Sequence, residues 1–121
     1  MTIDEFIEKG LRTSTPFPKP LRSSIRQKGF LFLVLHLRET AEPNGLALVV
    51  THATVEFQCR GAGLLTKTLR QVRYKYPTLE LVCEGVKEPR HQAKLIRLGF
   101  EPRLNQTDFV LPPTKDFHAS S

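Results

Sequence analysis

Cysteine is scarce in this 121-residue chain, which holds two, Cys59 and Cys83. Two thiols make no disulfide framework and cannot supply a four-ligand zinc set. No metal is therefore expected, and a reduced, cytoplasmic setting is the simplest expectation. Long apolar runs are missing too. No stretch approaches the roughly 18 residues of a membrane span, so no membrane partner is expected. The N-terminus, MTIDEFIEKG, has early acids and no apolar h-region, which argues against a secretory signal. No internal repeat or low-complexity segment is visible, and the length fits one domain over 1–121. Acidic residues are outnumbered 12 to 18 by Lys and Arg, giving a formal net charge of +6 and a pI of about 9.7. That excess biases the chain toward anionic partners, such as nucleic acid, a phosphorylated cofactor or an acidic protein. Plain solubility explains it equally well.

What is present suffices for one packed core, with 40% hydrophobic and 25% charged residues. Ile3, Phe6, Ile7 and Leu11 stand at helical spacing. Thr2 suits an N-cap and Asp4 and Glu5 a first turn. TSTPFPKP reads as a loop, and LRSSIRQKG (21–29) as a short helix closed by Gly29. No first strand is evident in 1–29, which is set apart as a variable N-terminal part. FLFLVLHL (30–37) and LALVVTHATV (46–55) read as strands buried on both faces, joined through an Asn44-Gly45 turn. Leu65, Leu69, Val72 and Tyr76 mark one face of a helix that Pro77 ends. LELVCEG (79–85) is a third strand. A helix follows, with Pro89 at its first position and Gly99 at its C-cap. Two short strands flank Asn105-Gln106. Residues 30–111 form the core, and 112–121 are expected to be a frayed tail. The class is α/β, of the mixed-sheet α+β kind. The strand-helix-strand unit over 46–85 demands a right-handed crossover and a parallel pair.

One stretch needs a separate account. In VEFQCRGAGLL (55–65) two glycines flank one alanine where a strand hands over to a helix. The first N–H groups of a helix have no intrahelical partner, and the helix dipole favours negative charge there. Glycines let a phosphate approach those amides. A dinucleotide fingerprint would need glycine at 66, which is Thr66. A P-loop would need Gly-Lys-Ser/Thr, which is absent. Gln58-Cys59-Arg60-Gly61-Ala62-Gly63 instead matches Q/R-x-x-G-x-G/A. This resembles the acetyl-coenzyme A loop of the GNAT superfamily of N-acetyltransferases. EFQCRGAGLLTKTL is similar to that superfamily's EYRGRGIGSALL pattern. EPRHQAKLIRLGFEPR resembles its later N-x-x-S-x-x-x-L-E-K-L-G-F segment. The resemblance covers 46–111.

It implies a central mixed sheet whose parallel strands splay apart, flanked by helices. It implies that the loop, from Gln58 through Arg60, Gly61, Ala62, Gly63, Leu64 and Leu65, holds the pyrophosphate of acetyl-CoA. It implies that the pantetheine arm lies along Thr51–Val55 as an added strand would, with a backbone amide polarising the thioester carbonyl. An amine would then attack the thioester directly in a ternary complex. Two positions depart from the pattern. Leu95 stands where many members have a tyrosine that protonates the departing thiolate, and Glu88 replaces the helix-opening asparagine. Some members also have leucine at the first of these.

Candidate bases are Glu56 just before the loop, Glu84 after the third strand, and His52 in the strand between. Each has an ordinary alternative as a solvated or hydrogen-bonded residue, and so has His91. An acyl-Cys59 is conceivable but direct transfer does not need it. Arg60, Lys67, Arg70 and Arg73 are candidate phosphate contacts, with a solvated helix face as the alternative for Lys67 and Arg73. Three readings follow. The leading one is an N-acetyltransferase. The second is a non-catalytic GNAT-like acyl-CoA-binding or regulatory protein. The third, a basic nucleic-acid-binding module, is disfavoured because no aromatic-basic surface pattern stands out. The acceptor is open: polyamine, antibiotic, peptide N-terminus and protein lysine all fit. An exposed edge after the last strand could pair two copies into a homodimer.

Overall fold

A computed structural model describes residues 1–12, 21–41, 45–59 and 63–114. Helix α1 (Ile3–Arg12) opens with a reciprocal cap. The Glu5 N–H donates to Thr2 Oγ1 at 3.2 Å, and the Thr2 backbone N–H donates to Glu5 Oε1 at 2.9 Å. Each satisfies a group the helix leaves unpaired. Ile3, Phe6, Ile7 and Gly10 are buried. Leu11, expected on that face, is half exposed. The apolar stripe advances by three and four residues, and at its fourth step it takes Gly10, which lets the helix sit against Leu37.

The sheet has six strands: β1 (Leu21–Ser24), β2 (Phe30–Glu39), β3 (Leu46–Val55), β4 (Glu80–Cys83), β5 (Glu101–Pro102) and β6 (Phe109–Leu111). Their spatial order is β1-β2-β3-β4-β6-β5. All pairs are antiparallel except β3–β4. Helix α2 (Leu64–Lys75) joins β3 to β4, and α3 (Pro89–Arg97) joins β4 to β5. The class is the mixed α+β sheet that the sequence predicts, with the parallel pair central.

Two local expectations fail. Residues 21–24 are not helical but form an edge strand, with Leu21 opposite Leu37 and Ser24 opposite Val34. Burial alternates along it, so Leu21 faces the core while Arg22 and Ser24 face out. The exposed edge of β2 offers pairing that a short isolated helix lacks. Nor is β2 buried on both faces. Leu33, Leu35 and Leu37 are buried, whereas Phe32 is 67% exposed. The cause is one-sided packing. Ile3, Phe6 and Ile7 of α1, Leu69 and Val72 of α2, and Leu95 of α3 all join one cluster with Leu35, Leu48 and Leu81. Among the described residues, the opposite sheet face has a small cluster of Ala47, Val49 and Val82, with Val110 against it.

β3 is likewise buried over Leu46–Val50 alone, and His52, Ala53 and Thr54 are exposed. Pro89 opens α3 as expected, and Gly99 after it has φ +104°. Residues 112–114 are tied down. Thr114 N–H donates to the Pro77 carbonyl at 2.7 Å, and Arg73 donates to the Pro112 carbonyl at 2.8 Å. The loop at 13–20, the turn residue Asn44 and the tail from 115 lie outside the described residues.

Candidate functional site

β3 and β4 run parallel from Ala47↔Glu80 to Val50↔Cys83, and the Glu84 N–H donates to the Val50 carbonyl at 3.0 Å. There the ladder stops. The parting falls at Glu84 on β4 and at Val50 on β3, five residues before that strand ends. A bulge is responsible. Val34 pairs with His52 and Leu35 with Val50, so Thr51 is extra. Its hydroxyl donates to the Val34 carbonyl at 3.3 Å. A bulge bends its strand and sharpens the twist, which carries β3 away from β4. Among the described residues, Thr51–Thr54 have no strand partner on the β4 side.

The parted strands open a cleft of about 780 Å³. The start of α2 forms one end of it. Gly63 caps that helix in the left-handed region, φ 68° and ψ 34°, and among the described residues no side chain caps the first turn. The Lys67 N–H donates to the Gly63 carbonyl at 2.9 Å. The amides of Leu64, Leu65 and Thr66 precede that first helical bond and point toward the helix start. A Cβ built on Gly63 meets nothing within 4 Å. Among the described residues no side chain bars an anion from these amides, and the helix dipole would favour it. The residues thus fit the two things acetyl-CoA requires: a strand edge for an amide-bearing arm and amides for a pyrophosphate.

Of the residues singled out from sequence, His52, Val55, Gly63, Leu64, Leu65, Glu84, His91 and Leu95 line this one cleft. Arg60, Gly61 and Ala62 lie outside the described residues. Glu56 and Gln58 do not line it. The Glu56 N–H donates to the Gly29 carbonyl at 2.8 Å, and Gln58 Nε2 donates to Glu56 Oε2 at 2.7 Å. Cys59 lines the cleft half-buried, and so does buried Cys83, whose thiol burial pushes up to about 12. Lys67 and Arg70 are exposed on α2 and stay off the lining.

Arg73 is neither a phosphate contact nor part of a solvated face. Its guanidinium donates to the carbonyls of Pro77, Leu79, Leu111 and Pro112 within 3.1 Å, and to Tyr76 at 3.5 Å. It ties α2 to the start of β4 and the end of β6.

Around the cleft, Arg38 Nη1 lies 3.7 Å from Glu84 Oε2. His52 Nδ1 is 3.4 Å from Thr51 Oγ1. Glu88 holds Arg90 at 3.4 Å and His91 at 3.8 Å. Lys87, Arg90 and Lys94 also line the cleft, and sequence reasoning missed them by looking for cations on α2. For two of them a signal was available: 90, 91 and 94 fall on one face of α3 with Leu95, whereas Lys87 stands ahead of the helix.

No protein-family model and no curated protein matches the chain. Some solved structures are similar to it. An AtaT mutant toxin bound to the C-terminus of the antitoxin AtaR and acetyl-CoA matches over 74% of this chain at 17% identity, with a TM-score of 0.46. The same mutant toxin with the AtaR C-terminus matches at 14% identity, with a TM-score of 0.44. A KacTA–DNA complex matches over 98% of this chain and 85% of its own at 14% identity, with a TM-score of 0.47. The chain spans 65% of the AtaT chain.

Proposed function

We propose that the protein is an acyl-CoA-dependent N-acyltransferase, most simply an acetyltransferase, acting on an amine by direct attack in a ternary complex. One observation carries this reading. The strands part over the same cleft onto which an uncapped, glycine-started helix opens. The resemblance of Gln58–Gly63 and of the 88–103 segment to the GNAT pattern supports it independently.

Bound acetyl-CoA supplies the acyl group as a thioester, whose C–S bond breaks once an amine nitrogen has attacked the carbonyl carbon. The chain's part is to hold, aim and move protons. The amides from Leu64 to Thr66 hold the pyrophosphate. The bare edge of β3 from Thr51 aligns the arm and offers an N–H to the carbonyl oxygen. Glu84, at the parting, draws in the ammonium form of the acceptor and takes its proton, with His52 across the cleft as the second basic group. Leu95 gives the departing thiolate no proton. Water can, because a thiol of pKa about 8.5 is an adequate leaving group.

Titration calorimetry with acetyl-CoA, followed by thiol release with a panel of amines, tests the reading. Gly63→Asp should weaken acetyl-CoA at least about tenfold, or roughly 1.4 kcal/mol. Unchanged affinity in the folded variant refutes the cradle. Binding without acylation of any amine favours the non-catalytic reading.

A further inference from the structure

On β2 the odd residues Leu33, Leu35 and Leu37 face the helices, so Val34, His36 and Arg38 stand on the other face of the sheet. Arg38 is paired with Ala47 on the neighbouring strand, while Glu84 lies one strand further on, past the end of β4. The guanidinium nevertheless comes to 3.7 Å from the Glu84 carboxylate. It must pass over β3. On that face β3 presents Ala47 and Val49, each 1% exposed, whose small side chains leave the way open, while His52 stands further along opposite Val34.

We propose that Arg38 is a positioning residue of the acyl-transfer site, tethering the Glu84 carboxylate to the sheet face opposite the helices, where the strands part. The role rests on the reading of Glu84 given above. Glu84 lines a cleft that also holds Lys87, Arg90 and Lys94. Any of these would compete for its carboxylate if nothing held it on the other side. His36, beside Arg38 on β2, adds no rival cation at neutral pH. Burial first, and then Arg22 and Arg38, push its pKa below the usual value, with Glu84 opposing. With side chains 41% and 36% exposed, the Arg38–Glu84 pair adds little to stability, so its use is orientation. A carboxylate freed to turn toward the cleft's cations would meet the amine out of line, and misplacement of this kind slows transfer without altering cofactor binding.

The test uses Arg38→Gln, Arg38→Lys, Glu84→Gln and the Arg38→Gln/Glu84→Gln double variant. Arg38→Gln should lower kcat about tenfold, leave the KM for acetyl-CoA and the melting temperature unchanged, and recover most of the loss in Arg38→Lys. In the Glu84→Gln background the same change should cost nothing more. An unchanged kcat, or a loss that simply adds to that of Glu84→Gln, overturns the proposal. The Glu84 carboxyl carbon resonance reports the tether without turnover. It should move in Arg38→Gln and return in Arg38→Lys, and a signal that stays put overturns the tether whatever the rates. A parent protein that shows the tether and binds acetyl-CoA but acylates no amine overturns the catalytic reading and, with it, the positioning role.

Discussion

Arg73 shows how far one side chain can depart from its sequence reading. On α2 it has helical neighbours that are solvated, and its type suits a phosphate. Its guanidinium instead satisfies carbonyls of two segments, 77–79 and 111–112, that come together only in the fold. Burial alone pushes its pKa down, although an arginine stays charged over the working range. Arg73→Met would remove these bonds and leave the Pro77 carbonyl with the Thr114 N–H alone. The expected loss is about 2–4 kcal/mol, from several strong bonds to one charged group. Arg73→Lys should recover little, since a point ammonium cannot serve carbonyls on both sides of a planar fork. Urea denaturation measures both variants, and a loss under about 1 kcal/mol would show the network to be ornamental. The candidate bases separate at the same scale. Glu84→Gln should slow transfer about 10²-fold with acetyl-CoA affinity kept, the usual worth of a placed base. Glu56→Gln should do nothing, because its carboxylate takes the Gln58 amide away from the cleft. The opposite ranking in steady-state rates would reverse the assignment.

At the scale of elements, the start of α2 forms one end of the cleft. Gly63 sits at φ +68° with open space where a Cβ would go. Gly63→Ala therefore meets no neighbour, and its effect isolates backbone strain, about 1–2 kcal/mol. A thermal melt should show that loss, with acetyl-CoA affinity reduced far less than in Gly63→Asp. A variant as stable as the parent would contradict the left-handed cap. This part of the protein was legible because glycine spacing and helical periodicity are local. The positions of β3, α2, β4 and α3 came out nearly whole for the same reason. What was not legible depends on partners distant in sequence. Strand β1 read as a helix because its four residues have no pattern of their own, and β2's edge decides their state. The one-sided burial of β2 depends on all three helices choosing one face. The bulge at Thr51, which sets where the strands part, has no glycine or proline to announce it. The cations of α3 had a readable period, but nothing in it said that the face borders the cleft.

The whole molecule has a pH response whose direction follows from its displaced groups. His36 is held below its ordinary 6.5, first by burial and then by nearby arginines. The unfolded chain takes up that proton first, so stability is complete above about 6.5 and declines as pH falls further. Asp108 is held below 3.8, mainly by the Gly85 N–H and then by Asn105, so it adds to the acid-side loss as pH falls through that range. Two groups act on the alkaline side. Burial raises Cys83 from 9.0 to about 12, and burial with the Glu8 and Asp4 carboxylates raises Tyr76 above 10.0. Both lose their protons first in the unfolded chain, so stability should decline from about pH 9 upward. The melting temperature should thus be level between about pH 7 and 9 and fall on both sides. His36→Gln isolates the first acid step. It removes the titrating ring and keeps a polar side chain on the outer face of β2, so its melting temperature should hold between pH 7 and 5 while the parent's declines. If the two decline in parallel over that interval, the acid-side loss belongs to other groups, and the cluster of Arg22, Arg38 and Glu84 around His36 does not govern it.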